Sequence, residues 1–227
     1  MIHGTGLLAS AFGAQHPDTG SWDVFARGVS NSTETDPFAF ERERDLLQAC
    51  LAGTGPLVYF SSCALVNPPA SDSPYLAHKR RMESLVLQAN PGNRVFRLPQ
   101  VVGSAGNANT LTNFLREKLV TGTSFTIWGR AERNLMDVDD VVSIAWNLMH
   151  EPLSPTVVDI VAEHSLPMLE IVELLERVLG CRGNYVVQDK GDPLQVDSRH
   201  ALAAAGRLGI DLGRASTERI LRKYYGN

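Results

Sequence analysis

Leu57-Val58-Tyr59-Phe60-Ser61-Ser62, followed after a loop by Pro74-Tyr75-Leu76-Ala77-His78-Lys79, is the stretch around which the rest of the chain is organised. Four apolar residues that run into two hydroxyls read as a buried strand, and the second segment reads as a helix opening with Tyr75 and carrying Lys79 one turn later. Residues four apart share a helix face, so the phenol and the ammonium point the same way. A nearby positive charge favours the phenolate. A serine within reach would share the hydrogen bond of a substrate oxygen, which makes the set an apparatus for moving a proton between a carbinol and a carbonyl. Tyr-x-x-x-Lys by itself also fits an ordinary helix, and the glycine turn at the N-terminus is what adds weight here.

Composition bounds the rest. A chain of 227 residues with 44% apolar and 20% charged side chains is one large globular domain, or one domain with a small appendage. The net charge of −4 and the lack of a basic run argue against nucleic acid as a partner. No apolar run is long enough to span a bilayer, and no charged region precedes a secretory core, so no membrane partner is expected. Cys50, Cys63 and Cys181 are odd in number and lack metal-ligand spacing, which makes a reducing cytoplasm the default. The six histidines are scattered singly, and no metal is expected.

The chain opens Met1-Ile2-His3-Gly4-Thr5-Gly6-Leu7-Leu8-Ala9. A short strand, a Gly4-Thr5-Gly6 turn and an apolar helix beginning at Leu7 and Leu8 would present free backbone N–H groups to a phosphate. With the strand-Ser-Ser and Tyr-x-x-x-Lys segments, this turn resembles the extended short-chain dehydrogenases/reductases, a family that includes nucleotide-sugar epimerases, dehydratases and reductases. The likeness covers nearly the whole chain. Of the family's three turn glycines the middle one matches Gly6, while His3 and Ala9 stand at the outer positions. The resemblance places Ser62 at the catalytic hydroxyl, with Ser61 before it; a slip of one residue would bring Cys63, a poorer donor, to that place.

Trp22 to Ser32 reads as the next strand and resembles the family's fourth, so the second and third strands, which grip the adenosine ribose, have no counterpart. The fold expected is therefore α/β, a Rossmann-like doubly wound parallel sheet, shortened, with a small C-terminal α/β subdomain. The boundaries expected are 1–103 with 137–162 for the cofactor-binding core, and 104–136 with 163–227 for the substrate-binding subdomain. Arg27 either reaches a cofactor phosphate or ends its strand in solvent. Asp36-Pro37 starts a helix running to Leu51, with Phe40, Leu47 and Leu51 on one side and the charges of Glu41 to Asp45 mostly on a solvated face. In the family this helix pairs subunits, so a homodimer is expected.

Downstream, Tyr75 to Ala89 is read as helix with Met82, Leu85, Val86 and Ala89 buried, and residues 64–74 as one wall of a substrate cleft. Arg94 to Gly103 is read as one strand, whose Pro99 resembles the family proline facing the nicotinamide. The polar segment from Ser104 to Asn113 suits a substrate loop, with Asn113 a candidate hydrogen-bonding residue. Ser124 to Gly129, then Arg133 and the acidic run Asp137, Asp139 and Asp140, match the family's short strand, diphosphate-binding arginine and acidic helix cap. Arg133 is either that arginine or the partner of those aspartates.

The resemblance implies an NAD(P)-dependent oxidoreductase or epimerase acting on a nucleotide-linked sugar, with Ser62, Tyr75 and Lys79 catalytic. Cofactor contacts would come from Gly4, Thr5, Gly6, Leu7, Leu8, Arg27, Lys79 and Pro99, and substrate contacts from Cys63, Asn113 and Arg133. Cys63 and Ala64 stand where dehydratases carry an extra acid pair, which favours 4-keto reduction or epimerisation. The alternative is a non-catalytic or partner-dependent member of the same fold that has lost the adenosine half of its cofactor site.

Overall fold

The computed structural model describes residues 1–66, 73–104, 110–152 and 156–226. In chain order the elements are β1 Ile2–His3, α1 Leu7–Gln15, β2 Asp23–Phe25, α2 Pro37–Leu51, β3 Leu57–Ser62, α3 Pro74–Ala89, β4 Arg94–Leu98, β5 Gln100–Val102, α4 Leu111–Thr121 and β6 Phe125–Trp128. They continue with β7 Glu132–Arg133, β8 Leu135–Asp137, α5 Val138–Met149, β9 Val157–Asp159, β10 Leu166–Pro167, α6 Met168–Leu179, β11 Tyr185–Gln188, α7 Arg199–Leu208 and α8 Ser216–Tyr225. These make two compact units, residues 1–98 with 138–160 and residues 99–137 with 161–227. Of the two loops read as lining the substrate, residues 67–72 and 105–109 lie outside the described residues.

The first unit is built on a parallel sheet of order β1-β2-β3-β4-β9. Successive strand residues point to opposite faces, and β3 uses both. Phe60 packs on Phe12 of α1 at 5.6 Å between ring centroids. Its neighbour Tyr59 belongs to a cluster with Leu47 of α2 and Met82 and Val86 of α3. The sheet therefore has helices on both faces, as a doubly wound fold requires. Each large apolar side chain buried this way contributes about 1.5–3 kcal/mol. Asn93 fastens the layers, accepting from Leu57 N–H (2.8 Å) and donating to the Val86 carbonyl (2.9 Å).

Two strands come out shorter than the sequence suggested. The run from Trp22 to Ser32 yields only Asp23–Phe25, because beyond it the Val29 N–H leaves the ladder and donates to Glu43 Oε2 at 2.6 Å. The run from Arg94 to Gly103 breaks at Pro99, which lacks the N–H a ladder needs. The part after the break pairs with β8 in the second unit.

In the second unit, β6 pairs with β11, β7 with β10 and β5 with β8. Their apolar side chains form one core with α4, α6 and α8, in which Ile127, Leu135, Ile171, Leu175 and Leu221 are fully enclosed. Asp139 and Asp140 occupy the first turn of α5, as the sequence implied. Asp137 ends β8 directly before α5, buried, where its carboxylate accepts from Lys223 Nζ (2.7 Å) and the Tyr224 hydroxyl (2.8 Å). Those partners come from α8 and could not be seen locally.

Gly4 makes a tight chain crossing in the first unit. Its φ is +134°, and a Cβ there would stand 2.5 Å from the Ala26 carbonyl oxygen. Gly4→Ala is expected to lower the unfolding free energy by about 1–3 kcal/mol, from left-handed strain plus the clash. Gly6→Ala, whose Cβ would meet open space, should cost less than about 1 kcal/mol. Urea denaturation of the two variants checks the difference.

Candidate active site

All five strands of the first unit are parallel, so their C-terminal ends share one edge of the sheet, the edge at which open α/β folds bind ligands. The Gly4-Thr5-Gly6 turn follows β1, Ala26-Arg27-Gly28 follows β2, and Ser62 ends β3. Ser62 Oγ accepts from Ala64 N–H (3.2 Å) and so fixes a short helical turn at Cys63–Leu65. Helix α3 then starts with Ser73 as its cap, accepting from Leu76 N–H at 3.2 Å, and Pro74 in the first turn. Those two residues put Tyr75 at the helix opening and Lys79 a turn on, both buried.

The Ser62 hydroxyl lies close enough to the Tyr75 phenol to act on its proton affinity. Burial raises the Tyr75 pKa above the usual phenol range. The nearby Ser62 hydroxyl works against that rise, while the negative charge of Glu43 adds to it. Lys79 Nζ lies 5.9 Å from the centre of the Tyr75 ring, but its hydrogen bonds go elsewhere. It donates to Glu43 Oε1 (3.1 Å) and to the Tyr59 hydroxyl (2.9 Å), and Tyr59 in turn donates to Glu43 Oε1 (2.7 Å).

Glu43 was read from the sequence as part of a solvated charge run, and the structure corrects that. It is 4% exposed, on the buried row Ala39, Glu43, Leu47 of α2. Its second oxygen bonds His78 Nε2 (3.0 Å) and Val29 N–H (2.6 Å), and His78 stacks on Phe40. Burial alone would raise this carboxyl, but His78, Lys79, Tyr59 and the Val29 amide outweigh it and hold the pKa at about 2. Burial also pulls the Lys79 ammonium down, opposed by Glu43. Lys79 is 3% exposed, and with two of its three N–H groups used it has one left among the described residues. Gly28 lies against the pair: a Cβ there would stand 2.9 Å from Glu43 Oε1 and 3.0 Å from Lys79 Nζ.

The remaining expected site residues fall as follows. Thr5 and Gly6 are exposed, Leu7 and Leu8 open α1, and no side chain caps that helix. The left-handed turn residue is Gly4, so having His3 at the outer motif position costs nothing; His3 instead bonds Asp23 (2.8 Å). Arg27 is exposed at the β2 exit. Cys63 is 2% exposed, its thiol pushed up by burial and by Asp159. Pro99, Asn113 and Arg133 belong to the second unit. There Asn113 Oδ1 bonds the Tyr225 hydroxyl (2.7 Å). Arg133 donates to the Glu132 carbonyl (2.7 Å) and makes no ion pair among the described residues, so the aspartates are not its partners. Burial lowers its pKa.

Sequence reasoning missed Glu43, Tyr59 and His78. The one local signal was the Ala39-Glu43-Leu47 spacing of four, which places the carboxylate on an otherwise apolar row.

A nicotinamide dinucleotide fits part of this edge. The open space at Gly6, the uncapped start of α1 and the spare Lys79 N–H suit a pyrophosphate and a ribose hydroxyl. The adenosine side is barer, because β1 is the edge strand and nothing among the described residues pairs with its outer side.

The sequence profile of the NAD dependent epimerase/dehydratase family matches residues 30–160, more than half of the 227. The chain belongs to that family. No curated protein sequence matches it. Among solved structures, UDP-glucose 4-epimerase of Thermotoga maritima, with UDP-glucose, superposes with a TM-score of 0.72 at 17% identity, covering 96% of this chain and 80% of that one. UDP-glucuronic acid 4-epimerase of Bacillus cereus, with UDP-glucuronic acid and NAD, gives 0.71 at 15%, covering 97% and 77%. RMD of Pseudomonas aeruginosa, complexed with NADPH, gives 0.69 at 18%, covering 97% and 85%. These likenesses establish the shared Rossmann-like fold, in which the parallel sheet of this chain has the order β1-β2-β3-β4-β9.

Removing one member of a buried ion pair leaves the other uncompensated, so Glu43→Ala is expected to cost about 3–5 kcal/mol. Stability held by the wild-type carboxylate is fully present above its unfolded pKa of 4.5 and is lost as pH falls toward its folded value of about 2. Denaturation at stepped pH checks both: the gap between wild type and Glu43→Ala should narrow across that window.

Proposed function

We propose that the chain is an NAD(P)-dependent enzyme acting on a nucleotide-linked sugar by 4-keto reduction or epimerisation. The observation that carries this reading is the convergence of Ser62, at the C-terminal end of β3, with Tyr75 and Lys79 of α3, whose ammonium lies 5.9 Å from the Tyr75 ring centre. Family membership supports it, as do the nucleotide sugars and the NAD or NADPH named for the similar structures.

In this reading Ser62 and Tyr75 share the substrate oxygen, and Tyr75 is the group that exchanges its proton. Lys79 offers its third N–H to the nicotinamide ribose. The Gly4-Thr5-Gly6 turn and the opening amides of Leu7 and Leu8 receive the pyrophosphate, with Arg27 at the neighbouring strand exit. Pro99 borders the nicotinamide, and Cys63 packs behind Ser62. Arg133, half-buried and without an acidic partner among the described residues, takes the diphosphate of the sugar nucleotide, and Asn113 takes a sugar hydroxyl. When bound, the nicotinamide supplies the redox chemistry, and the protein supplies placement and proton traffic.

The bare outer edge of β1 favours a second reading, in which the protein binds without turnover or needs a partner to complete the adenosine site. Fluorescence titration with NADH and NADPH separates the two: saturable binding of either supports the enzyme, and none at millimolar levels supports the second. Tyr75→Phe should reduce turnover by a factor of about 100 or more while leaving cofactor affinity near the wild-type value; retained turnover would remove Tyr75 from its role.

We also propose that copies pair through α2 and α3. Phe38 is 71% exposed there, next in sequence to a groove lined by Pro37, Phe40, Ala77 and Met82 together with Glu41, Arg44, His78 and Arg81. Phe38→Glu should shift the sedimenting species from dimer to monomer; a wild type that sediments as a monomer counts against pairing.

A further inference from the structure

The Glu43 carboxylate does more than fill a core position, because it meets the one cation of the expected proton-transfer set. In the simplest account of a phenol beside an ammonium, the positive charge draws the proton off the phenol. Here that charge is answered. Lys79 Nζ, Tyr59 OH and Glu43 Oε1 form a closed triangle with sides of 3.1, 2.9 and 2.7 Å. The carboxylate is held from its other side by His78 and the Val29 amide, so it cannot swing away without breaking three elements' contacts.

Among the described residues, the other cation acting on this region from a packed element is Arg97, which is already paired. From α2 comes Glu43. From β3 and its exit come Tyr59, Ser62 and Cys63, with Asp159 of β9 near that thiol. From α3 come His78 and Glu83, and Glu83 is spent on a two-pronged pair with Arg97 of β4 (2.9 and 2.7 Å).

We propose that Glu43 cancels the charge of Lys79 and thereby makes the Ser62–Tyr75–Lys79 set a proton donor, serving a keto group on the nucleotide-linked sugar and not an alcohol. This rests on the enzyme reading above for its substrate, but not for what Glu43 does. In the step a hydride passes to the carbonyl carbon, the C=O electron pair moves to oxygen, and that oxygen takes the Tyr75 proton. The carbonyl is reduced and the dihydronicotinamide oxidised, and Tyr75 regains a proton from solvent. Glu43 is a positioning residue in this scheme: it touches neither substrate nor reacting atoms, and it acts through Lys79.

The test reads Tyr75 directly. Fluorotyrosine, whose phenol is more acidic, brings the titration into a range where the protein stays folded, and the fluorine NMR signal missing from Tyr75→Phe identifies the residue. The double variant Glu43→Gln/Lys79→Met removes both charges at once, an exchange of a buried pair for neutral groups that proteins commonly tolerate. The Tyr75 midpoint should be unchanged or lower in the double variant. A rise beyond the error of the titration would mean that Lys79 had been activating the phenol, and would overturn the proposal.

A second measurement needs no variant. With wild type, a UDP-linked 4-keto hexose should be reduced by NADH or NADPH at a rate nearly flat around neutral pH. Oxidation of UDP-glucose with NAD or NADP should rise about tenfold per pH unit, since only the phenolate fraction acts. A flat oxidation profile at neutral pH would also overturn the proposal. Turnover in neither direction overturns the enzyme reading and with it the choice of substrate, and the NMR titration still decides what Glu43 does.

Discussion

A single buried carboxylate holds the first unit's functional edge together. Glu43 gathers the exit of β2 through Val29, strand β3 through Tyr59, and helix α3 through His78 and Lys79. A carboxylate out of water is costly unless every lone pair is answered, and here four donors answer it. The geometry is therefore specific in a way that apolar packing is not: moving any one of the three elements strands a charge. Gly28 has no side chain where it lies against the pair, and a Cβ there would crowd both charged groups.

The same constraint shapes the chemistry. In a set made only of Ser62, Tyr75 and Lys79, the ammonium would favour the phenolate. With Glu43 at 3.1 Å from Nζ, burial sets the behaviour of Tyr75 and keeps its proton on. Family membership describes what the scaffold does in general, and this carboxylate gives the chain a chemical bias of its own. The shortened sheet is a second departure. With β1 at the edge among the described residues, the glycine turn follows an edge strand paired only with β2 instead of sitting at a reversal of strand order, so a ligand seated on the turn has described sheet on one side.

Where the sequence misled, the reason is non-local in each case. The charge run from Glu41 to Asp45 looks like a solvated face until helix packing turns Glu43 inward. Trp22 to Ser32 opens as a strand and ends in small residues, and the Val29 amide is claimed by a carboxylate 14 residues away. Asp137 also holds Lys223 and Tyr224, which lie more than 80 residues downstream and which no local pattern announces. Helix α3 buries Tyr75, His78, Lys79 and Glu83 along with its apolar residues, a pattern that hydrophobic periodicity cannot flag because polar residues carry it.

Order along the chain was enough to fix the alternation of strands and helices, the caps at Asp36 and the stop at Gly180, and the neighbourhood of Ser62, Tyr75 and Lys79. Each of these depends on dihedral preference and on spacings of a few residues, which are local properties. Tertiary structure alone decided which charges are buried, that Lys79 bonds Glu43 and Tyr59, and that β1 ends the sheet. Those outcomes depend on elements far apart in sequence competing for the same hydrogen bonds, and no local spacing encodes which one wins.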